Sequence, residues 1–509
     1  MREYFDVLRA VRDRTPQAAA LIGESGETRS YEQLVARAAA FAWHLVDDLG
    51  LGPGDHMALW AFNSCQWWEA YLGAAAAGVS PVPLNPEWTD EEMRFALARS
   101  ACCLIVAESG LLGRASDLAS EGGLLPAIDL GDDGVVSSEW EAILAAATPD
   151  AEGLLPPRLA SDGAPLNFTS GTSTGRPKAV VRLAAGQRLA QVDLYGLWGL
   201  TAQDRILIVT PFFHGNGFGG AISSLGLGAS VVFQRRFSAT RFWPVVGVHR
   251  PTFFFTLMPI VNILLSLPPS DDDRTSSIRT VLALGASPQA DLMRARYGWQ
   301  VLDFYGLTEA GGIASTRLHG PQKPGAIGPL LPGKVIHLLD QDGETCAAGE
   351  VGEVCLECDH IGFGGYLDDP EASAAAVRDG LFHTGDLGRL DEDGFFSFVD
   401  RVKDIVRRGG ENISSLEVEA VLADHPGVAE VAVLGWPDAV LGERVAAAIV
   451  PPVGGEPPEL AELRAFAAER LAAYKLPERL VIVAALPRTT NGKVRKSELR
   501  RAADPSRQP

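Results

Sequence analysis

Residues 166–181 read LNFTSGTSTGRPKAVV, a run of small hydroxyl side chains and glycines that ends in a lysine. Gly171 and Gly175 let backbone N–H groups come close to phosphate oxygens. The hydroxyls of Thr169, Ser170, Thr172, Ser173 and Thr174 add donors, and Lys178 adds a positive charge. The run is not a Walker A loop, which needs Gly-Lys-Ser/Thr, because Pro177 precedes the lysine here. Taken by itself it also reads as a flexible Ser/Gly linker.

A second segment, DFYGLTEAGG over 303–312, follows a strand expected at 300–303. Tyr305 can stack on a base, Thr308 can reach a phosphate, and Glu309 can hold Mg²⁺, which takes carboxylate and phosphate oxygens. The bland alternative is a strand-to-helix turn with Glu309 in solvent. Three further segments carry polar chemistry: HTGDLG at 383–388, DRVKDIVRRGGENISSLEVE at 400–419 and PRTTNGKVRKSELR at 487–500. Asp386 can bridge two ribose hydroxyls, and Arg401 can add donors there. Arg407 and the pair Gly409-Gly410 lie in a basic run whose backbone another chain can approach. Asn491-Gly492 is a turn signal that presents Lys493 at a tip. Each segment alone also reads as a surface turn, a solvated charge run or a basic tail. The single pair Cys355-x-x-Cys358 falls in an alternating GEVCLEC run and reads as strand, since a zinc site needs a second pair or added histidines.

The elements that must position these residues alternate between helix and strand. A helix is expected over 30–49 with Ser30 as its N-cap, a strand at 56–60, an Ala-rich helix at 67–77 and a strand at 79–83. Apolar runs at 206–210, 230–233, 252–257 and 280–284 read as buried strands, and β–α alternation implies a mainly parallel sheet. Residues 111–159 read as surface loop and short helix. After Gly325 short alternating runs at 335–339, 352–358 and 394–399 read as a small barrel or meander. From Asp400 a compact α+β module follows, with helices at 416–423 and 458–473 and strands at 428–434, 444–450 and 479–483.

The 509 residues are 47% hydrophobic and 21% charged, with a net charge of −20, so the chain is globular and large enough for two to four domains. An acidic chain lacks the basic face that duplex or anionic-membrane binding needs. Charge is uneven: residues 401–509 carry 16 Lys and Arg against 15 Asp and Glu, so the excess of acid lies upstream. The first residues are charged throughout and contain no apolar signal core. The most apolar stretch, 252–267, is shorter than the about 20 residues of a membrane span. Six cysteines in so long a chain make no disulfide framework, and the chain reads as cytoplasmic.

Together and in this order, the segments resemble the adenylate-forming superfamily of acyl-CoA synthetases, nonribosomal adenylation domains and beetle luciferases. Within it they are similar to acid–CoA ligases of the crotonobetaine/carnitine and fatty-acid type, on the run RRGGENISSLEVE. The resemblance spans almost the whole chain. It implies an α/β fold in which a large N-terminal domain of stacked α/β sheet layers plus a small β-barrel-like part (1–400) precedes a small mobile α+β C-terminal domain (401–509). The hinge would be at Lys403. By resemblance, 169–178 grips the β,γ-phosphates of ATP, and Gly285, Ala286 and Ser287 line the adenine and acyl site. Asp303, Phe304, Tyr305 and Gly306 form the adenine wall. Thr308 and Glu309 serve the α-phosphate and Mg²⁺, and Asp386 and Arg401 serve the ribose. Gly410 borders a pantetheine tunnel, Lys493 bridges the acyl carboxylate and ATP, and His214 in PFFHGNGF gates the acyl pocket. Pocket candidates are His214, Asn216, Gly217, Ala283, Gly285, Gly311, Gly312 and Ile313.

Three departures stand out. GTSTGRPK is one residue longer than the family's usual loop, Ala179 replaces the usual glycine after the lysine, and Ser414-Ser415 replaces the usual Tyr-Pro. The implied activity is attack of a carboxylate on the α-phosphorus of ATP, giving an acyl-adenylate and pyrophosphate, then transfer of the acyl group to CoA with release of AMP. A carrier-protein thiol or another nucleophile in place of CoA is the alternative, and a non-catalytic nucleotide-binding protein is a third reading.

Overall fold

The computed structural model describes residues 2–132, 134–146, 166–169, 178–182, 192–285, 289–409, 411–438, 440–488 and 494–502. Strand Phe253–Leu257 shows how the sequence builds the larger sheet. Phe253 and Phe255 point into one apolar cluster, and Phe254 points into another on the opposite face. The same alternation separates Ile206 from Leu207, Val231 from Val232 and Leu282 from Val281. Strands buried on both faces are continuous apolar runs, and parallel pairing covered by helices is their stable arrangement. Arg205–Ile208, Ser230–Phe233, Phe253–Leu257, Thr280–Leu284 and Gln300–Leu307 accordingly pair in parallel within an eight-stranded sheet. Its edges are antiparallel, at Gly311–Ser315 and Thr28–Ser30.

A second parallel sheet runs Ser80–Pro83, His56–Trp60, Cys102–Ala107, Ile128–Asp129. Met57 and Leu59 of its central strand share a cluster with Phe253, Phe255 and Leu282 of the first sheet, while Ala58 and Trp60 face the other way. Helices Tyr31–Trp43, Cys65–Ala77 and Gly215–Leu227 supply side chains to that shared cluster, so they form a layer between the two sheets. Every residue of Cys65–Ala77 is buried, as expected of a largely apolar helix, and its one charged residue, Glu69, is paired with Arg29 and Arg37 at 2.7 and 2.8 Å. Ser30 caps Tyr31–Trp43 in a capping box with Gln33, as its sequence position predicts, and the chain continues as one π-helical stretch, His44–Asp48. A small antiparallel sheet orders Phe363–Tyr366, Lys178–Arg182 and Leu166–Thr169.

The described chain parts into two compact units, residues 1–334 with 358–377, and residues 335–357 with 378–509. The second unit holds the antiparallel strands His337–Leu339, Val351–Glu357, Leu381–Leu390 and Phe395–Arg401. It also holds a sheet in which Gly442–Val450 pairs with Glu430–Asp438, Val406–Arg408 and Arg479–Ile482. Helices Ser415–Leu422 and Leu460–Ala468 pack on this sheet through Val418, Leu422, Leu463 and Ala467. Among the described residues no helix is long and apolar enough to cross a membrane, and all six cysteines are free thiols.

Two sequence expectations change. The strand expected to stop at Asp303 runs on as Gln300–Leu307 and folds back in an antiparallel hairpin with Gly311–Ser315, so Thr308, Glu309 and Ala310 are its turn rather than a helix start. Gly312 explains part of this: a Cβ there would lie 2.6 Å from Phe304 Cζ, so glycine lets the returning strand pass the ring without displacing it. Cys358 does not extend the strand of Cys355 but begins the helical turn Cys358–Ile361.

Candidate functional site

Parallel strands direct their carboxyl ends to one edge, where open α/β sheets bind ligands. In the first unit the residues after Ile208, after Leu284 and at the far end of Gln300–Leu307 share that edge. They include His214, Asn216, Gly285 and Thr308–Glu309. Asp303 is buried at 3% exposure, and its Oδ1 accepts from the backbone N–H of Gly285 at 2.8 Å and of Phe304 at 2.7 Å. It therefore ties the turn after one strand to the next strand. Tyr305 is buried in the hairpin, and Gly306 stands opposite Gly312 across it.

The loop after Arg205–Ile208 is fixed by a residue that the sequence analysis passed over. Asn63, 3% exposed, donates to the carbonyls of Thr210 and Gln234 at 3.0 Å each, and its Oδ1 accepts from Phe212 N–H at 2.7 Å. His214 precedes helix Gly215–Leu227 as its N-cap residue, and Thr210 Oγ1 donates to Asn216 Oδ1 at 2.8 Å. Of the pocket candidates, Ala283 lies in the apolar cluster on one sheet face, and Ile313 is fully buried. Gly217 faces backbone, since a Cβ there would meet Pro211 O at 2.2 Å.

Thr169 pairs directly with Lys178, so the strands on either side of residues 170–177 are in register. Lys178 Nζ lies over the ring of Tyr366, 4.6 Å from its centroid, and the Tyr366 hydroxyl donates to Glu309 Oε1 at 3.0 Å. Burial, together with the Glu309 charge, holds that hydroxyl above the usual phenol range. Tyr366 was also missed; the available signal was an aromatic at the end of the GFGGY run, and nothing local linked it to residues so distant in sequence. Glu309 and Thr308 offer hard oxygen donors, the set that suits Mg²⁺.

In the second unit Asp386 and Arg401 face each other across the pair Leu381–Leu390 and Phe395–Arg401. Arg401 Nε lies 3.3 Å from Asp386 Oδ1, with side-chain exposures of 32% and 3%. The adjacent Asp400 is buried, and its Oδ2 accepts from Ser415 N–H at 2.6 Å, Ser415 Oγ at 2.8 Å and Ser414 Oγ at 3.2 Å. The serines that replace Tyr-Pro thus join the N-terminus of Ser415–Leu422 to a carboxylate, which a helix N-terminus favours. Lys403 is exposed in the turn after Arg401. Arg407 is exposed, and its backbone N–H donates to Glu443; Gly409 N–H donates to Leu441 O. Arg408, beside them, is taken up by Glu478 at 2.7 Å.

Cys355 Sγ and Glu353 Oε2 approach His383 Nδ1 at 3.3 and 2.9 Å, and Arg378 Nη2 lies 2.6 Å from the same nitrogen. Burial pushes the Cys355 thiol up to about 12. Glu353, Cys355 and His383 thus form a compact cluster of a carboxylate, a thiol and an imidazole within the second unit. Ser170, Gly171, Thr172, Ser173, Thr174, Gly175, Ala286, Ser287, Gly410 and Lys493, and the side chain of Thr169, lie outside the described residues.

A family model of AMP-binding enzymes matches residues 8–367, and one of the AMP-binding enzyme C-terminal domain matches residues 417–493. An oxalate–CoA ligase of Arabidopsis thaliana is 34% identical over 91% of this chain and 90% of its own. A crotonobetaine/carnitine–CoA ligase of Shigella dysenteriae is 32% identical over 89% of both chains. The ATP-bound MatB structure from Rhodopseudomonas palustris has a TM-score of 0.88 and 28% identity, covering 99% of this chain and 100% of the other.

Proposed function

This chain belongs to the AMP-binding enzymes and is an AMP-forming acid–CoA ligase using ATP, a carboxylic acid and CoA, and from that premise we propose which of its residues carry each half-reaction. The observation that carries the assignment is the meeting of Lys178 and Glu309 on one tyrosine. A cation at the end of a hydroxyl-rich segment and a carboxylate at a hairpin turn have no structural need of each other, but triphosphate and its metal need both.

In the first half-reaction the carboxylate of the acid attacks the α-phosphorus, and the bond to the β-phosphate breaks. Lys178 and Lys493 neutralise charge that moves onto the phosphate oxygens, usually the largest contribution in such chemistry. Thr308 donates to the α-phosphate. Glu309 would hold Mg²⁺, which would supply further positive charge at those oxygens. Tyr305 and Phe304 flank the adenine, and Asp386, held by Arg401, accepts from the ribose hydroxyls. Residues 169–178 take the β,γ-phosphates, and His214 and Asn216 face the acid. In the second half-reaction the sulfur of CoA attacks the acyl carbon and AMP leaves. Gly410, with Arg407 and Gly409 beside it, borders the thiol's path, and Lys403 is the hinge between the two states.

A panel of carboxylic acids, each assayed for pyrophosphate release with and without CoA, tests the reading and identifies the acid. Adenylation that no CoA concentration converts to thioester, but that a carrier-protein thiol or an amine does, replaces CoA as the acceptor.

A further inference from the structure

Tyr366 ends the strand Phe363–Tyr366, which pairs antiparallel with Lys178–Arg182 so that Val180 stands opposite it. Lys178 is two residues from Val180, on the same face of its strand, and is therefore the diagonal neighbour of Tyr366. Leu367 N–H to Ala179 O at 2.8 Å and Tyr366 N–H to Ser373 Oγ at 2.9 Å fix the backbone on both sides. The side chain then makes two unlike contacts. Its ring face takes the Lys178 ammonium at 4.6 Å, and its hydroxyl donates to Glu309 Oε1 at 3.0 Å.

A lysine and a glutamate that serve the same anionic ligand pose a problem before that ligand arrives. Opposite charges at short range in a partly buried site attract strongly, and a direct pair would leave neither free for phosphate or metal. A tyrosine satisfies both without neutralising either. The ring holds the cation by its quadrupole. The phenol gives the carboxylate one hydrogen bond and orients it while the second oxygen stays available.

We propose that Tyr366 is a positioning residue that keeps Lys178 and Glu309 apart and aimed, each ready for its part of Mg²⁺-bound ATP. This rests on the reading of Glu309 as the metal-holding carboxylate. Tyr366 touches no reacting atom; it acts through the two residues it contacts, and its two contacts are separable by substitution.

Binding of α,β-methylene ATP, which cannot donate its adenylyl group because the α–β link does not break, is measured by calorimetry across a Mg²⁺ titration for wild type, Tyr366→Phe, Tyr366→Leu, Glu309→Gln and the double variant Tyr366→Phe/Glu309→Gln. Phenylalanine keeps the ring and loses the hydroxyl. It is expected to raise the Mg²⁺ concentration for half-maximal binding by roughly 10-fold, the usual effect of removing an outer partner of a metal-holding group. Affinity at saturating Mg²⁺ should stay unchanged. Leucine loses both contacts and should also weaken nucleotide binding at saturating Mg²⁺, by roughly two- to five-fold. In the double variant the phenylalanine should add nothing to Glu309→Gln, because both act through one carboxylate.

If Glu309→Gln shifts the Mg²⁺ midpoint and Tyr366→Phe does not, the positioning role falls and the reading of Glu309 stands. If Glu309→Gln leaves the midpoint in place, the reading beneath both falls. Additive shifts in the double variant, or equal losses for Phe and Leu at saturating Mg²⁺, also overturn the proposal. Should Tyr366→Leu fail to fold, the phenylalanine and double-variant arms still decide.

Discussion

Replacing Lys496 by methionine removes one charge and keeps an unbranched stem of similar length. Lys496 Nζ lies 2.7 Å from Glu419 Oε1 and 2.6 Å from Ser415 Oγ, with side-chain exposures of 11% for the lysine and 17% for the glutamate. The same Glu419 oxygen accepts from Val433 N–H at 2.7 Å. Removing one partner of a buried pair typically costs about 3–5 kcal/mol, and the residual exposure here puts the expectation near ~3 kcal/mol. For a unit of 150–250 residues each kcal/mol moves Tm by roughly 2–4 °C, so its unfolding transition should fall by roughly 6–12 °C at neutral pH. The pH dependence gives an independent check. Burial holds the Glu419 carboxyl above its usual 4.5 even with Lys496 beside it, and losing the lysine raises it further. A carboxyl with a raised folded-state pKa binds its proton more tightly folded than unfolded, so stability falls as pH rises through that window. The deficit of Lys496→Met against wild type should therefore be full above the raised pKa and shrink as the pH falls toward 4.5. Adding Glu419→Gln, which keeps an acceptor for Val433 N–H, should restore most of the loss at neutral pH. A variant that unfolds within about 2 °C of wild type at neutral pH, or whose deficit is independent of pH, refutes the coupling.

Asp386→Asn should raise the KM for ATP by roughly 10- to 100-fold, the loss expected when a charged acceptor of sugar hydroxyls becomes neutral; unchanged ATP kinetics would leave Asp386 as the structural partner of Arg401 alone. Lys493→Ala should lower acid-dependent pyrophosphate release by roughly 10²–10³ while still converting supplied acyl-adenylate and CoA to thioester. Gly410→Leu should do the reverse and accumulate adenylate, and equal damage to both half-reactions in the two variants would contradict the division of labour. Gly217→Ala forces a Cβ to within 2.2 Å of Pro211 O, so it should cost about 1–3 kcal/mol of stability, read by thermal unfolding, and disturb acid binding through the His214 loop. Native stability in that variant would mean the helix start yields easily.

Much of the architecture is written locally. The triple Phe253-Phe254-Phe255 already specifies a strand buried on both faces, because successive side chains must point to opposite sides and all three are apolar. Ser30 with Gln33 announces a helix start within four residues. The chemistry-bearing segments are legible for the same reason: hydroxyl, glycine and lysine types at short spacing state what they can bind before any fold is known.

The sequence by itself determined the alternating α/β plan, the capped helices and the identity of the polar groups, since all depend on neighbours within a few residues. Tertiary structure decided what meets what. Whether Glu309 opened a helix or turned a hairpin depended on the pairing of Gln300–Leu307 with Gly311–Ser315, and on Gly312 passing the Phe304 ring without displacing it. Tyr366 gained its place only because Val180 is its cross-strand partner, and Asp400 its role because Ser415 is folded back onto it. Contacts of this kind are set by sheet register and chain reversal, which close large loops and leave no periodicity in the residues that make them.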